Sequence, residues 1–499
     1  GPGTRPRIAW AAGRLAPLPA PSPEHHLLNR AAFGATAVEA ARVRAMGADA
    51  WVEEQLAPAS IDDAPVDAAL ARFPSIAWSV AEIKANQGKR PIRNELIAAT
   101  LYRAVNSRRQ LLEVMVDHWS NVFNVFHPEE FISSAKTIED REVIRRHALG
   151  TFRDLVHASA QSPAMMRYLD VVRNTRTGPN ENYAREVMEL HTLGVDGGYT
   201  EADIKDVARC FTGWAYNGTS WAFEFRAADH DTGTKTVLGR RIRSTGVDEG
   251  HEVLDLLVDH PSCAMHVARR LVRRLVADDP PEGLVAATAA AFGRDGDIPA
   301  MLRVILRSDA FKAGHAGAGG WAPAKIRRPL EYWVAVLRAV GADTAFMFDV
   351  PKDVYEGDDT PGAADYTGRA EAYLQQMDQI PFRWLSPNGY PDVGPRWGGM
   401  HVVIARWNYA HALASGALEG IRIDWVERTR AAGVAFTAAA VVDHWAARLV
   451  GRDLLPADRQ ILVDFVGRGN ASTLTAAELG RRLPAAIALL FDSPYFQRR

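Results

Sequence analysis

The densest group of side chains able to do chemistry lies in residues 180–194, which read Asn-Glu-Asn-Tyr-Ala-Arg-Glu-Val-Met-Glu-Leu-His-Thr-Leu-Gly. Asn180 suits a helix N-cap and Gly194 suits a helix stop, so the run predicts one helix. At about 100° per residue, the carboxylate and amide side chains fall on one arc of that helix. The polar arc carries Glu181, Asn182, Arg185, Glu186, Glu189 and Thr192, and the opposite arc carries Tyr183, Val187, Leu190 and His191.

Glu186 and Glu189 are three residues apart, which makes them neighbours on a helix. Two adjacent carboxylates with Asn182 can hold a hard cation, or they can divide into a protonated acid and an ionised base. Arg185 would favour the charged form of one of them. The alternative is a solvated helix face crossed by a Glu181–Arg185 ion pair.

A second polar group lies in residues 229–235, Asp-His-Asp-Thr-Gly-Thr-Lys. His230 offers a general base, Asp231 a carboxylate to orient it, and Lys235 a cation for developing negative charge. Asp-Thr-Gly is also ordinary turn chemistry, so a structural turn is the alternative.

Two further regions carry large aromatic side chains. Residues 380–397 are too rich in Pro and Gly for regular structure, and they place Trp384, Tyr390 and Trp397 where they could stack on sugar rings or form a lid. A plug over the helical core is the alternative. In residues 117–124, His118 and Asn121 are three apart beside aromatics, a pattern that fits a pocket wall or a packed core.

A metal centre is a second hypothesis for the same polar groups. Its ligands would be Glu186, Glu189, His191 and His230, with a divalent or transition metal as cofactor. The spacing is not that of an HExxH motif, and Cys210 and Cys263 are too far apart for a CxxC site or an attached c-type haem. The sequence also lacks a Walker loop, a dinucleotide fingerprint and a GxSxG elbow.

The elements that must position these residues are mostly helices. Apolar residues at three-to-four spacing predict helix over residues 93–126, 180–193 and 201–214, among others. Alternation predicts that residues 221–225 and 236–238 pair as one hairpin. The sequence therefore predicts a mainly α protein, a multi-helix globular body with a small β-hairpin insert.

The chain is long enough for more than one core unit. Residues 1–23 are predicted to be a processed N-terminus and linker, because Gly1-Pro2 precedes an Ala/Pro-rich stretch. Loops are predicted at 313–320 and 349–365, with a boundary near residue 315. This gives a helical domain at 24–315, holding the polar helix and the hairpin, and a helical region at 316–499 packed on it or continuous with it.

Composition limits the classes of partner. The 58 basic residues against 60 acidic ones leave no positive excess for a polyanion, which argues against nucleic acid as the main partner. Hydrophobic residues make up 47% and charged residues 24%, which is typical of a globular protein. No stretch approaches the roughly 20 apolar residues of a transmembrane segment.

Several blocks together resemble a bacterial family catalogued as "domain of unknown function 1800". They are His-Leu-Leu-Asn-Arg-Ala-Ala-Phe-Gly at 26–34, Asp-His-Trp-Ser-Asn-Val-Phe at 117–123, Ser-Pro-Ala-Met-Met-Arg-Tyr-Leu-Asp at 162–170, residues 180–194, Phe-Thr-Gly-Trp at 211–214, His230-Asp231 with Lys235, Lys-Ile-Arg-Arg-Pro-Leu-Glu at 325–331, Gly-Tyr-Pro-Asp at 389–392 and Ser-Pro-Tyr-Phe-Gln at 493–497. The resemblance covers nearly the whole chain. The sequence departs from the family pattern at Asp378-Gln379, where Gly-Gln is usual, and at Cys263.

The resemblance implies a cellular setting and no reaction. Members of the family look like exported bacterial proteins and tend to be encoded beside a second family that resembles sulfatases and phosphatases. We therefore expect a periplasmic or secreted protein, and a partner protein from that neighbouring family.

The leading hypothesis is an exported, hydrolase-like enzyme of carboxylate acid/base type that acts on a glycan or other polar polymer. Its catalytic candidates are Glu186, Glu189, His230 and Asp231, and Asp231 is the alternative second carboxylate if the two glutamates lie too close together. Its candidate substrate-binding residues are Arg185, Asn182, Lys235, Trp214, Trp384, Tyr390 and Trp397. The alternatives are the metal-dependent hydrolase or oxidoreductase described above, and a non-catalytic envelope scaffold in which the polar helix is a buried ion-pair network.

Overall fold

The computed structural model describes residues 18–88, 91–126, 129–313, 325–349, 369–469 and 473–499. Most of the predicted N-terminal linker, the boundary predicted near residue 315 and both predicted loops, apart from their first residues, lie outside the described residues.

Helices form most of the described structure, so the mainly α prediction is confirmed. Up to residue 210 they are α1 (Pro23–Ala31), α2 (Ala37–Met46), α3 (Ala48–Gln55), α4 (Ala64–Leu70), α5 (Val80–Asn86), α6 (Ile92–Asn106), α7 (Gln110–Val122), α8 (Glu130–Glu139), α9 (Phe152–Ala160), α10 (Pro163–Tyr168), α11 (Asn182–Glu186) and α12 (Glu201–Cys210). After residue 210 they are α13 (Asp248–Asp259), α14 (Pro261–Leu275), α15 (Glu282–Ala290), α16 (Ile298–Arg307), α17 (Asp309–Ala313), α18 (Pro329–Val340), α19 (Ala370–Gln376), α20 (Gly394–Trp397), α21 (Met400–Ser415), α22 (Trp425–Ala431), α23 (Ala438–Val450), α24 (Pro456–Gly467), α25 (Ala476–Asp492) and α26 (Pro494–Gln497). Short 3-10 turns lie at Pro58–Ser60, Pro74–Ala77, Val171–Arg173, Ala227–Asp229 and Ala345–Phe348, and π-helical segments at Asp140–Arg145 and Val187–Thr192.

The β structure differs from the predicted single hairpin. Strand β1 (Trp214–Tyr216) pairs antiparallel with β2 (Phe223–Phe225), and β3 (Thr236–Val237) pairs antiparallel with β4 (Arg240–Arg241). The predicted pairing of residues 221–225 with 236–238 is therefore wrong, because each segment has a nearer partner.

Two tight turns explain the nearer pairings. The Asn217 side chain accepts hydrogen bonds from the backbone N–H groups of Thr219 and Ser220 at 2.9 and 3.0 Å, which folds β2 back onto β1. Leu238 and Gly239 have φ values of 48° and 73°, and this left-handed pair turns β3 directly into β4. Asn217-Gly218 was the available sequence signal for the first turn.

One apolar core includes residues from both sides of residue 315, from Leu27 in α1 to Phe496 in α26. A polar contact of α1 also crosses that point, since the Asn29 side chain accepts a hydrogen bond from Arg327 at 2.8 Å. Before that point, His26 Nε2 bonds to the carbonyl of Phe311 at 2.8 Å.

A buried ion-pair network centres on Glu331, at the start of α18. Its carboxylate pairs with the guanidinium groups of Arg274, Arg328 and Arg499, the last at 3.0 Å. Asp117 in α7 pairs with Arg274 at 3.3 Å and also with Arg328. The network therefore ties α7, α14, α18 and the C-terminal residues together.

Asp378 has the backbone conformation for which glycine is the usual residue, which fits the Gly expected there from the family resemblance. Its φ is 65°, in the left-handed region that glycine adopts without steric cost. Asp is among the few other residues that tolerate this conformation, so the turn is kept.

Among the described residues, no helix has both the length and the apolar run needed to cross a bilayer. Cys210 and Cys263 are both buried and do not form a disulfide.

Candidate active site

The predicted polar helix starts at Asn182 as α11 and continues to Thr192 as a π-helical segment. The Asn180 side chain accepts a hydrogen bond from the Asn182 N–H at 2.9 Å, and Gly194 ends the run with a φ of 81°. Within the π segment, the Thr192 hydroxyl donates to the carbonyl of Val187 at 2.6 Å. The sequence predicted the limits of the helix but not its π geometry, which is frequent at functional sites.

Arg185 gathers the carboxylates on the polar arc. It forms ion pairs with Glu181 and Glu189 at 3.4 Å, and with Glu201 at the start of α12 at 2.8 Å. The side chains of Arg185 and Glu201 are 35% and 67% exposed, so water screens this network. The predicted Glu181–Arg185 pair is confirmed.

Glu186 lies in a different environment from its neighbours on this arc. Its side chain is half-buried and forms no hydrogen bond or ion pair with any described residue. Burial raises the pKa of its carboxyl group and the negative charge of Glu189 raises it further, while Arg185 lowers it. Since Arg185 pairs directly with Glu189, the two adjacent carboxyls have unequal surroundings: one is held by a cation and the other is left to desolvation.

Tyr168, at the end of α10, connects Glu186 to the aromatic loop 380–397. Burial raises the pKa of the Tyr168 hydroxyl, and the negative charge of Glu186 raises it further. The same hydroxyl donates to the carbonyl of Leu385 at 2.6 Å. Tyr168 thus bonds to the aromatic loop and lies within electrostatic range of Glu186. Sequence reasoning did not assign it to the site, although it lies in a recognisable block.

Two asparagines of the block at 117–124 hold the aromatic loop in place. The Asn121 side chain donates to the carbonyl of Tyr390 at 2.8 Å and accepts from its N–H at 2.6 Å. The Asn124 side chain donates to the carbonyls of Trp384 and Ser386 at 2.7 and 2.8 Å. Between loop and helix lies a cavity of about 30 Å³, lined by residues that include Asn121 and Asn124, which is room for about one water molecule. Among His118 and Asn121, it is thus the asparagine that lines a pocket.

The aromatic side chains of the loop form a short ladder. The rings of Trp384 and Tyr390 are 5.0 Å apart, and those of Tyr390 and Trp397 are 6.1 Å apart. Trp397 is 1% exposed and its indole N–H donates to the carbonyl of Pro391, so its predicted role in stacking on a sugar is wrong. Trp214 is also 1% exposed and cannot offer a ring face to a ligand. Only Trp384 and Tyr390 of the four predicted aromatic ligands are part-exposed.

The second predicted group, at 229–235, is a folded structural unit. The Lys235 ammonium is buried and pairs with Glu249 at 2.5 Å, and it also donates to the main-chain carbonyl of Asp231. His230 is 3% exposed, and its Nδ1 donates to the carbonyl of Thr212 at 2.8 Å. The proposed general base and cation are therefore enclosed, so neither faces a substrate in this structure.

Both carboxylate oxygens of Asp231 accept hydrogen bonds from Arg209. The two form paired hydrogen bonds of 2.7 and 3.1 Å, and this contact lowers the pKa of Asp231 to about 2. Arg209 lies near the end of α12, whereas Glu201, the partner of Arg185, lies at its start. Eight residues at 1.5 Å per residue separate these anchors by about 12 Å. Asp231 is thus not the second carboxylate beside Glu186.

The predicted metal ligands do not come together. His191 is buried against Phe123 on the opposite side of the helix from the polar arc, and burial, helped by Arg270 and His266, lowers its pKa to about 3. His230 faces Glu249, with its Nε2 at 3.4 Å from the carboxylate. In the part of the chain that the structure describes, no three His, Cys, Asp or Glu side chains are grouped to hold a metal ion. The four-ligand site of Glu186, Glu189, His191 and His230 is therefore wrong in this geometry.

The remaining predicted ligand, Asn182, lies exposed on the first turn of α11, on the same arc as Glu186 and Glu189. The candidate site is thus a surface arc of the polar helix. It consists of Glu186, Glu189, Arg185 and Asn182, and Tyr168, which bonds to the aromatic loop, lies within electrostatic range of Glu186.

The fold and this site define a mainly α-helical protein with two unequal carboxyls on one face of a surface helix. A family model described as "Protein of unknown function (DUF1800)" matches residues 26–498, so the chain belongs to that family. No curated protein and no solved structure matches the chain.

Proposed function

We propose that this protein is a hydrolase of carboxylate acid/base type that acts on a glycan or another polar polymer. The observation that carries the proposal is the unequal pair on one helix face: Arg185 pairs with Glu189 at 3.4 Å, while half-buried Glu186 has a raised pKa and no partner among the described residues. Adjacent carboxyls with such different surroundings suit the roles of an acid and a base. Glu186 is the general acid and Glu189 is the general base.

Accessibility supports a large substrate. Glu186 and Glu189 are part-exposed on a surface helix. Leu385 of the aromatic loop accepts a hydrogen bond from Tyr168, which lies within electrostatic range of Glu186. Trp384 is part-exposed and offers a ring for a sugar to stack on. An extended polymer can lie across such a surface, and its contacts with the loop would position one bond over the two carboxyls.

The placement of both carboxyls on one helix favours one kind of bond. An inverting glycosidase needs its acid and base on opposite faces of the sugar, which a single helix face cannot provide. Hydrolysis of an ester or amide lets water arrive from the side on which the leaving group is protonated, as in enzymes where one histidine serves both steps. Acyl bonds on a polar polymer are therefore the substrates that suit this geometry best.

The proposed step moves two protons. Glu189 accepts a proton from water as the water oxygen bonds to the acyl carbon, and Glu186 gives its proton to the oxygen or nitrogen that leaves. The bond between the acyl carbon and that atom breaks, which yields a carboxylic acid and an alcohol or amine. Proton exchange with solvent restores both glutamates.

The scaffold alternative makes a different use of the same helix. It requires the polar arc to be a buried ion-pair network, whereas the Arg185 network is part-exposed. Buried networks lie elsewhere, at Glu331 and at Lys235. Because the buried ion-pair networks lie away from the polar helix, we favour the enzyme over the scaffold alternative.

An assay of acyl release tests the proposal without a known substrate. The protein would be incubated with acetylated and deacetylated forms of several polysaccharides and with N-acetylated glycans, and released acetate and new reducing ends would be measured. We expect acetate release that falls about 100-fold or more in Glu186→Gln and in Glu189→Gln, since general acid–base groups contribute about 10²–10⁴-fold.

The matched control is Glu201→Gln. It removes a carboxylate partner of Arg185 that lies in α12 and not on the polar helix, and it should leave the rate of acetate release within about twofold of the wild type. Release of reducing ends without release of acetate would show that the enzyme cleaves glycosidic bonds and not acyl bonds. Unchanged turnover in Glu186→Gln, or no turnover on the whole panel, would contradict the proposed acid/base enzyme.

A further inference from the structure

The β3–β4 hairpin carries a group of cations that the proposed reaction does not use. Arg240, Arg241 and Arg243 lie within four positions of the chain, and all three residues are exposed. None of their guanidinium groups forms an ion pair or hydrogen bond with a described residue. Exposed Arg173 and Arg396, by contrast, pair with an aspartate at 3.2 and 3.5 Å. The hairpin therefore concentrates positive charge that no ion pair neutralises.

The carboxylates that pack against the hairpin hold its backbone and not its arginine side chains. Asp203 and Asp206 accept hydrogen bonds from backbone N–H groups of the hairpin at 2.6 and 2.7 Å. Glu252 accepts from the backbone N–H of Arg243 at 3.0 Å, and it also lies within electrostatic range of that residue's side chain. The hairpin is thus fixed in place while its guanidinium groups stay available to an anionic ligand.

Buried contacts beneath the hairpin make it a rigid support. The Lys235 ammonium, just before β3, is buried and pairs with Glu249 at 2.5 Å. Ile242 is 8% exposed, and its backbone N–H donates to the carbonyl of Lys235 at 3.1 Å. Because Ile242 faces inward, alternation along an extended chain directs its neighbours Arg241 and Arg243 outward together. A ligand bound by these arginines does not have to order the backbone that carries them.

Helix α12 connects the hairpin to the polar arc. Glu201, at its start, pairs with Arg185 at 2.8 Å. Asp203, two residues later, bonds to the turn of the hairpin. These contacts lie about 3 Å apart along the axis, on opposite flanks of a helix about 10–12 Å wide. Lys205, exposed on the same helix and within electrostatic range of Glu201, adds a further cation. An extended polymer that lies over the polar arc can therefore reach the hairpin.

We propose that the hairpin binds anionic groups of the polymer, which makes an anionic polysaccharide the substrate class of the candidate site. This inference rests on the proposed function and adds the charge of the substrate to it. Guanidinium groups form paired, charge-assisted hydrogen bonds with carboxylates and similar oxyanions. Since the polar arc is itself acidic, the anionic groups bind at the hairpin, and an uncharged acyl group lies at Glu186 and Glu189.

Two observations favour a polysaccharide over a nucleic acid. The chain as a whole has 58 basic and 60 acidic residues, and duplex DNA carries about one charge per 1.7 Å, so the acidic arc would repel such a dense array. Single-stranded nucleic acids are held through bases stacked on aromatic side chains. Residues 236–243 contain no aromatic side chain. A polymer with more widely spaced anionic groups suits this surface better.

Binding measurements that need no turnover test the hairpin. Fluorescently labelled oligogalacturonate, dextran sulfate and neutral dextran would each be titrated with the full chain, and anisotropy would be measured. The wild-type protein should bind the two anionic probes and not dextran, and comparison of the two shows whether carboxylate or sulfate groups bind more tightly. The variant that replaces all three arginines should bind about tenfold more weakly, because three exposed ion contacts are lost. Its substitutions are Arg240→Gln, Arg241→Gln and Arg243→Gln.

The matched control removes the same charge from three other exposed arginines that have no ion-pair partner among the described residues. Its substitutions are Arg294→Gln, Arg422→Gln and Arg481→Gln. This control should bind within about twofold of the wild type, because exposed charges outside the contact are screened by salt. Both triple variants should keep the wild-type midpoint in urea unfolding. An equal loss of binding in the two would show an effect of net charge alone and would overturn the inference.

Glu186→Gln separates this inference from the proposed reaction. It should bind both anionic probes like the wild type while it loses acetate release. Binding by a wild-type protein that turns over no substrate would contradict the proposed enzyme and support the hairpin as a polymer-binding surface. Equal affinity for dextran, or unchanged binding in the hairpin variant, would overturn the inference whatever the turnover. Tighter binding of a single-stranded oligonucleotide or of phosphatidylglycerol vesicles would also overturn it, because the arginines would then serve another partner.

Discussion

Glu331 and Glu186 both lie in blocks by which the family is recognised, and the structure places them in opposite surroundings. Glu331 is 2% exposed, and although burial alone would raise its pKa, Arg274, Arg499 and Arg328 together hold it well below the usual range. Glu186 is half-buried, has no hydrogen-bond or ion-pair partner among the described residues, and has a raised pKa. A recognisable carboxylate therefore serves either of two purposes in this protein.

The two carboxylates differ in the interactions that they make with the rest of the protein. Glu331 joins three parts of the fold, α14, the start of α18 and the C-terminal residue, so its charge stabilises the folded state. Glu186 forms no hydrogen bond or ion pair with the described residues, and a partly buried carboxyl with a raised pKa is the kind of group that functional sites contain. The buried ion pair of Lys235 and Glu249 is structural, like the network around Glu331. For this reason the 229–235 group is not part of the candidate site.

The largest expected effect is on stability at Glu331. Glu331→Gln removes the one buried carboxylate shared by three guanidinium groups, and loss of a buried partner costs about 3–5 kcal/mol. We expect a loss near the upper end, measured by urea unfolding. If that variant does not accumulate as folded protein, Asp117→Asn at the edge of the network should show a smaller loss. An unfolding midpoint equal to that of the wild type in both variants would contradict a stabilising role for this network.

The next effect is expected at Lys235. Lys235→Met leaves Glu249 buried without its cation, at a cost of about 3 kcal/mol. The double variant Lys235→Met, Glu249→Gln should recover part of that loss, because no unpaired charge remains. A double-mutant cycle in chemical denaturation measures the coupling. Additive losses would show that the two side chains do not interact, and would return Lys235 to the list of candidate ligands.

A smaller effect is expected from acid. The pKa of His191 is lowered by burial to about 3, from an ordinary value near 6.5. The unfolded chain therefore binds the proton more readily, and stability is complete above pH 6.5 and falls as the pH drops toward the folded pKa. Between pH 7 and pH 5.5 this residue alone should cost about 1.3 kcal/mol.

His191→Leu should make the stability less dependent on pH over that interval by about the same amount. Exposed His401→Gln is the control and should leave the dependence unchanged. Urea unfolding at several pH values provides the measurement. Equal slopes for His191→Leu and the wild type would show that this histidine does not stay neutral in the fold.

The smallest effect is the most specific to the site. Glu189→Gln removes the neighbouring negative charge that helps to raise the pKa of Glu186, so that pKa should fall. Glu201→Gln should leave it nearly unchanged, because Glu201 acts on Arg185 from outside the helix. Carboxyl ¹³C NMR of the labelled protein reports the titration. A pKa of Glu186 that does not respond to Glu189→Gln would remove the observation on which the proposed function rests.

Local patterns were enough to predict much of this protein. The mainly α fold, the limits of the polar helix and the Glu181–Arg185 pair depend on spacing along the chain, because contacts at three and four residues are fixed by helix geometry. The hairpins were mispaired because strand partners are chosen by turn geometry, and the turn at Leu238-Gly239 gives only a weak signal.

The sequence by itself thus determined which residues could do chemistry and which helix face carries them. Only the tertiary structure decided which of those residues have a structural role. The enclosed side chains are His230, Lys235, Trp214 and Trp397. Tyr168 and Asn124, which lie elsewhere in the chain, bond to the aromatic loop. The physical reason is that a side chain's pKa and accessibility depend on burial and on partners remote in sequence, such as the 217 residues between Tyr168 and Leu385. Residue type and spacing carry no record of those partners.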